Sequence, residues 1–321
     1  LINGIDKFRV WQGGNVRNKD GLLAGTAESN ADNFQDFYNR LLHNTGDTTE
    51  GFKEYARMKR RQVDRQFLPP IMAELVREVR NSKDAAPGEN GVPAIVWKSM
   101  LGEPRLMRTL LDIMKKCWNE EQTPEEWRTY YMMAIPKKGD LTWLKNWRGL
   151  SMADTFAKLY AGVLQGRLED IYETIAPEFC NGFRRGRSRT DSIFTLKEFL
   201  RQRKAKGLDT WVVLWDIVKM FDRIKREFLW RSMEVVGIDA KLIRVVQATM
   251  EATRGQLNVD GMTREVNIQD GTCQGSKMGP ILCNLFLLPI LEQWLADTEH
   301  LDPVLEAEGG GRSAVSPPRS R

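Results

Sequence analysis

Histidine is almost missing from this sequence, with two residues in 321, and the four cysteines never fall in a C-x-x-C pair. That scarcity argues against a zinc site, because tetrahedral zinc draws its ligands from clustered Cys and His. Cys117, Cys180, Cys273 and Cys283 read instead as free thiols of a reducing compartment. No uninterrupted apolar run approaches the ~20 residues a membrane span needs, and no internal repeat is visible. The opening stretch, LINGIDKFRVWQ, has neither an initiator methionine nor the charge-then-apolar layout of a signal peptide. It reads as the middle of a longer chain. An intracellular location, nucleus or cytoplasm, is the expectation.

What is present points to a globular protein: 41% hydrophobic residues and ten tryptophans. The formal net charge of +5 is unevenly spread. Residues 128–206 hold sixteen Lys/Arg against eight Asp/Glu, and the remainder of the chain is net acidic by three. A basic middle section favours a polyanion, since each neutralised phosphate releases counterions. A solvated helical surface would show the same charge.

The elements are legible from periodicity. IMAELVREVRNS places Ile71, Met72, Leu75, Val76 and Val79 on one helical face, and PRLMRTLLDIMKKCWNE does the same with Leu106, Leu110, Ile113 and Met114. YYMMAIPKKGD reads as a strand interrupted by Pro136. Residues 152–174 and 190–206 read as helices, 211–216 as a buried strand, and 226–253 as two further helices. GQLNVDGMTREVNI alternates around Asp260-Gly261, a hairpin signal. The tail EAEGGGRSAVSPPRSR has the composition of a disordered segment.

One stretch raises a chemical question. In VVLWDIVKMFDRI an apolar strand ends on Asp216, and Phe221 follows five residues later. A carboxylate at a strand end can hold a divalent cation, since magnesium favours a few carboxylates with phosphate oxygens. Asp at a turn or helix cap is the commoner reason for such a pattern. The ring of Phe221, on the turn that leaves the strand, could pack against a nucleotide sugar and exclude a 2′-hydroxyl.

These residues resemble the first palm motif of non-LTR retrotransposon reverse transcriptases, Asp-x-x-x-Ala-Phe-Asp, with Met220 in place of alanine. Further stretches resemble the family's motifs in the family's order. DAAPGENGVPAIVWK is similar to the Ala-Pro-Gly segment before the fingers, and IPKKGDLTWLKNWRGLSM to the fingers motifs. AKLYAGVLQGRL resembles the helix that follows, CNGFRRGRSRTDSIFTL the Asn-Gly-Phe-Arg motif, and GTCQGSKMGPILCNLF the second palm motif. Together they cover residues 84–286.

The resemblance implies roles. Asp216 would be the catalytic metal ligand and the Ile217 carbonyl a backbone ligand, with Mg2+ or Mn2+ as the cofactor. Phe221 would be the steric gate, and Asp222 a structural member of the motif. Lys137 and Arg148 would grip the incoming triphosphate, where a lysine point charge and an arginine fork offset charge. Gln274 and Gly275 would lie near the nascent base pair. Arg184, Arg185, Arg187 and Arg189 would contact the template; a plain charged surface is the alternative, but the admixture of Phe183 and glycines suits single-stranded template better. RNA template, DNA primer and deoxynucleoside triphosphates are the implied partners, with no membrane.

The departures from the pattern matter as much. The family carries an Asp-Asp hairpin after the second palm motif, and this sequence has no Asp-Asp dipeptide. Gly149 stands where proline is usual, Cys273 where arginine is usual, and Lys277-Met278-Gly279 replaces Pro-Leu-Ser. The expected fold class is α+β: right-hand polymerase fingers and a partial palm built on a ferredoxin-like antiparallel sheet with helices. The expected division is a helical N-terminal extension over 1–68, fingers over 69–206, a partial palm over 207–300 and a disordered tail over 301–321. The expected function is RNA-directed DNA polymerisation, truncated and inactive alone. The alternatives are a non-catalytic nucleic-acid-binding remnant and an enzyme of the group II intron maturase type.

Overall fold

Asp260 and Gly261 take positive φ values of 52° and 80°, the conformation of a two-residue hairpin turn that matches strand twist. The turn joins β3 (Thr253–Val259) to β4 (Met262–Ile268), as the alternation predicts. In the computed structural model, residues 14–298 are described apart from 44, 47, 59, 62–66, 84–90, 273 and 274, with two short paired strands at Glu306–Ala307 and Gly311–Arg312. The Ala-Pro-Gly stretch, Cys273, Gln274 and most of the 301–321 tail therefore lie outside the described residues.

The sheet is completed by β1 (Thr129–Pro136) and β2 (Trp147–Met152), in the order β2-β1-β3-β4. Its outer pairs are antiparallel but β1 and β3 run parallel, so the sheet is mixed and not the antiparallel ferredoxin-like sheet expected. The parallel pair joins residues 129–133 to 254–258, and such a pairing needs a long crossover. The chain between them supplies it as helices. Residues 211–216 take no part in any strand, which corrects the expectation of a buried strand there.

One sheet face is closed by α1 (Ala27–Leu41), which begins at a capping box between Thr26 and Ser29. Phe34 meets Trp147 edge-on at 5.1 Å, and Leu257, Val266 and Ile268 complete this core. Each such side chain contributes about 2 kcal/mol by leaving water. Gly149 is part of this closure. A Cβ there would lie 2.8 Å from Tyr38, so the glycine that replaces the usual proline makes room for the N-terminal helix.

The larger core is helical. It is assembled from α3 (Met72–Asn81), α5 (Pro104–Glu120), α6 (Thr155–Ile175), α9 (Arg226–Val235), α10 (Ala240–Ala248) and α11 (Gly279–Thr298). Beside it lie α2 (Thr49–Arg57), α4 (Ala94–Ser99), α7 (Arg189–Ala205) and the single turn α8 (Met220–Arg223). Asp154 caps α6 by accepting the N–H of Phe156 at 2.7 Å. The core face of α5 is rotated from the predicted one: Leu110 and Met114 point inward with Met107, Leu111 and Trp118, while Leu106 and Ile113 are exposed. Burying Trp118 outweighs burying Ile113, because the larger apolar area gains more. Ile71 is likewise exposed, since it precedes α3 as its cap residue.

Over Gly279–Asp297, α11 is long and apolar enough to cross a membrane by length and composition. Asn284, Glu292 and Gln293 interrupt its apolar sequence, so no unbroken run marks it. Here Ile281, Leu282, Leu285 and Leu288 enter the helical core.

Candidate functional site

The β1–β2 ladder pairs Ile135 with Arg148. Residues opposite one another share a face, and alternation carries that face to Lys137, whose N–H donates to Asn146 O at 2.8 Å. Trp147, Gly149 and Ser151 point to the α1 core, so Arg148 and Leu150 occupy the opposite, open face. Arg148 is exposed and Lys137 half-buried. Sequence reasoning placed these two cations in one cleft, and the register puts them on one face.

The loop after β4 comes over the same face. Gly275 takes φ +103°, and a Cβ there would sit 2.6 Å from Ser151 O and 3.1 Å from the Leu150 side chain. Only glycine allows that approach. The same loop holds Phe221: Thr272 N–H donates to Phe221 O at 2.8 Å, and the Gly279 Cβ position lies 3.6 Å from its ring. Phe183 meets the Phe221 ring edge-on at 6.2 Å. This loop thus connects Phe221 with the Leu150–Ser151 end of β2, the strand that carries Arg148. Gln274 lies outside the described residues.

Lys219 was not among the predicted residues. It adopts φ +53° on the turn between Asp216 and Phe221, with Nζ 4.2 Å from the centre of the Phe37 ring. Burial pushes its amine down to about 8, against the pull of Asp222, and the nearby positive charges of Lys137 and Arg223 lower it further. Its signal in the sequence was only a cation inside an acidic motif. Asp222 is buried, and its N–H donates to Lys219 O at 3.0 Å. The thiols of Cys117 and Cys283 are pushed up by burial to about 11 and about 12, so both are poor nucleophiles.

Asp216 is placed differently from expectation. Residues 211–218 are exposed, with Trp211 95%, Leu214 85% and Trp215 86% accessible. Ile217 is exposed too. A strand forms when a neighbour takes its N–H and C=O groups, and no described residue pairs with this run. Phe194 and Phe199 on α7 are exposed as well. Among the described residues no group of three or more His, Cys, Asp or Glu could hold a metal ion.

The arginine cluster is largely paired within the chain. The Arg184 side chain is 5% exposed and donates to Glu173 at 2.9 Å, to Pro177 O at 3.0 Å and to Cys180 O at 3.1 Å. Arg185 bridges Glu169 and Asp170, and Arg187 pairs with Glu178. Arg189 is exposed at the start of α7 and makes no ion pair among the described residues. Arg184 therefore has a structural job that its neighbours in sequence do not announce. Arg184→Ala is expected to lower stability by about 2 kcal/mol in urea denaturation. It should leave the salt dependence of RNA binding unchanged.

A family model described as reverse transcriptase (RNA-dependent DNA polymerase) matches residues 135–302. The chain belongs to the reverse transcriptase family. It is 24% identical over 227 residues, 70% of its length, to a retrovirus-related Pol polyprotein from the type-1 retrotransposable element R2 of Popillia japonica, of which this covers 31%. It is 23% identical over 284 residues, 85% of its length, to the transposon TX1 uncharacterized 149 kDa protein of Xenopus laevis, covering 21% of it. A putative COX1/OXI3 intron 1 protein of Saccharomyces cerevisiae is 26% identical over 171 residues, covering 53% of this chain and 18% of that protein. The chain thus spans between about a fifth and a third of the length of these first two relatives.

The family implies a nucleic-acid template and a divalent cation. The donor set here fits such a cation incompletely. Asp216 is an exposed carboxylate with no cluster of acidic partners among the described residues.

Proposed function

We propose that this chain is the nucleotide- and template-binding portion of an RNA-directed DNA polymerase of the non-LTR retrotransposon class. One observation supports the reading: the loop bearing Gly275 approaches Leu150 and Ser151 of β2, the strand that carries Arg148, and the same loop bonds to Phe221. On this reading residues 69–206 act as fingers and 207–300 as part of a palm. Lys137 and Arg148 hold the triphosphate of the incoming nucleotide. Phe221 packs against its sugar, and Gly275 lets backbone approach the base pair. Asp216 and the Ile217 carbonyl contribute to a cation site, for Mg2+ or Mn2+, that other carboxylates must complete. Gln274 keeps the role the motif implies. RNA template and DNA primer are the partners, and the work is intracellular.

A second reading, a nucleic-acid binder without catalysis, is favoured by the isolated position of Asp216. A maturase-like enzyme has the likeness to the yeast intron protein in its favour. A salt titration tests the binding common to all three. Affinity for a single-stranded RNA 16-mer is expected to fall steeply with salt. The Arg185→Ala/Arg189→Ala double variant should reduce the log–log slope by about one to two. An affinity independent of salt would return these arginines to ordinary surface.

A further inference from the structure

A second basic and aromatic cluster forms where α2 packs on α9. The Phe228 ring rests on Gly51, whose Cβ position would be 2.7 Å from its edge. Phe52 and Tyr55 flank Phe228 at 4.7 and 5.6 Å, Tyr55 nearly parallel to it. Tyr55 is fixed in place by a 2.8 Å hydrogen bond between its hydroxyl and that of Ser232. Beside these rings is a cavity of about 290 Å³ lined by Phe52, Tyr55, Arg60, Arg231 and Val235.

The charge at its rim is unbalanced. Arg231 and Arg60 both reach Glu234, at 3.0 and 3.4 Å, so two guanidinium groups share one carboxylate. Both arginine side chains are more than 45% exposed, with donors turned to solvent. Backbone holds this side of the cavity, Arg61 N–H donating to Val235 O at 2.8 Å. An apolar slot with aromatic walls accepts a flat ring, and a surplus guanidinium beside it accepts a phosphate. An unstacked nucleotide of a single strand presents both at once.

The geometry points to this cavity as a second binding site for single-stranded nucleic acid: one base enters against Phe52 and Tyr55, and its phosphate meets Arg60 and Arg231. The site is independent of Asp216 and of the fingers assignment. An acidic peptide without an aromatic side chain would satisfy the arginines but leave the aromatic slot without a planar partner.

The test uses the full chain and an octauridylate carrying one central 4-thiouridine, irradiated and mapped by mass spectrometry. Crosslinks are expected on the peptide holding Phe52 and Tyr55, and they should persist in the Arg185→Ala/Arg189→Ala variant. Arg60→Gln/Arg231→Gln is expected to weaken octauridylate binding about fivefold or more, and Phe52→Leu to do the same while keeping the apolar volume. Thermal melting checks each variant. If a variant melts early, the crosslink map of the unaltered chain decides. Crosslinks confined to 137–189, unchanged affinity in a stably folded variant, or equal competition by a Glu-Tyr peptide would each overturn the site. Crosslinks at Phe52 and Tyr55 without any at 137–189 would support it while telling against the function proposed above.

Discussion

Primer-extension reactions with this 321-residue chain, an RNA template and a DNA primer are expected to give no elongated product with either Mg2+ or Mn2+. In-line phosphoryl transfer by two cations needs carboxylates that hold both of them ~3.5–4 Å apart. Of the motif's two carboxylates, Asp216 is the one that the resemblance makes a metal ligand, and it stands exposed on an unpaired run. Asp222 does not replace a second ligand. It is buried beyond the turn, and its charge is already felt by Lys219, Tyr38 and Cys283. Loss of a ligand set removes several kcal/mol of transition-state stabilisation, and ~4 kcal/mol is already about a thousandfold in rate. Extension is expected to return in a longer chain that carries an Asp-Asp hairpin, and Asp216→Ala in that chain should abolish it. Template-dependent synthesis by the 321 residues alone would sink the idea, because another carboxylate would then complete the site.

How much of this was legible depends on the range of the interaction behind each feature. The Asp260-Gly261 hairpin and the Asp154 cap are local, and short stretches of sequence report them. That Lys137 and Arg148 fall on one sheet face follows from strand alternation. The errors came from partners distant in sequence. Trp118 decides which face of α5 turns inward, and helix periodicity alone tolerates a rotation of one residue. VVLW has the composition of a buried strand, yet a strand is made by its neighbour, and composition does not report one. Arg184 and Arg189 look alike in FRRGRSRT, while Glu173 eleven residues upstream turns one of them into a structural member. The departure at Gly149 was visible but had no explanation until Tyr38 was seen against it.

Arg167 gives the largest expected effect on stability. It lies in AKLYAGVLQGRL on α6, and its guanidinium is nearly buried, with 9% of the side chain exposed. Its Nε and Nη2 donate to the two oxygens of Glu74 at 2.7 and 2.8 Å, and Nη1 donates to Leu68 O at 2.8 Å. Its guanidinium carbon lies 4.8 Å from the centre of the Trp118 ring. The pair ties α3 and the chain before it to α6. Burial alone would raise the Glu74 carboxyl, but the bonds from Arg167, with the Ile71 N–H and the charges of Arg167 and Arg77, hold it below the usual range. A depressed carboxyl contributes stability above its unfolded pKa and loses it as pH falls through the folded value. Arg167→Met reverses the sign at Glu74: the carboxylate is left buried without its partner, so its pKa rises. The variant is expected to lose about 3–5 kcal/mol at pH 7. Its deficit relative to the unaltered chain should narrow by about 1 kcal/mol or more near pH 4, where Glu74 takes up a proton in the variant while the unaltered pair weakens. Arg167→Met/Glu74→Leu should recover most of the loss at pH 7, because an apolar pair of similar volume leaves no charge unpaired. Urea denaturation at the two pH values measures all three chains. An equal deficit at both pH values, or a double variant no more stable than the single one, would mean that Arg167 acts through its packing on Trp118 and not through Glu74.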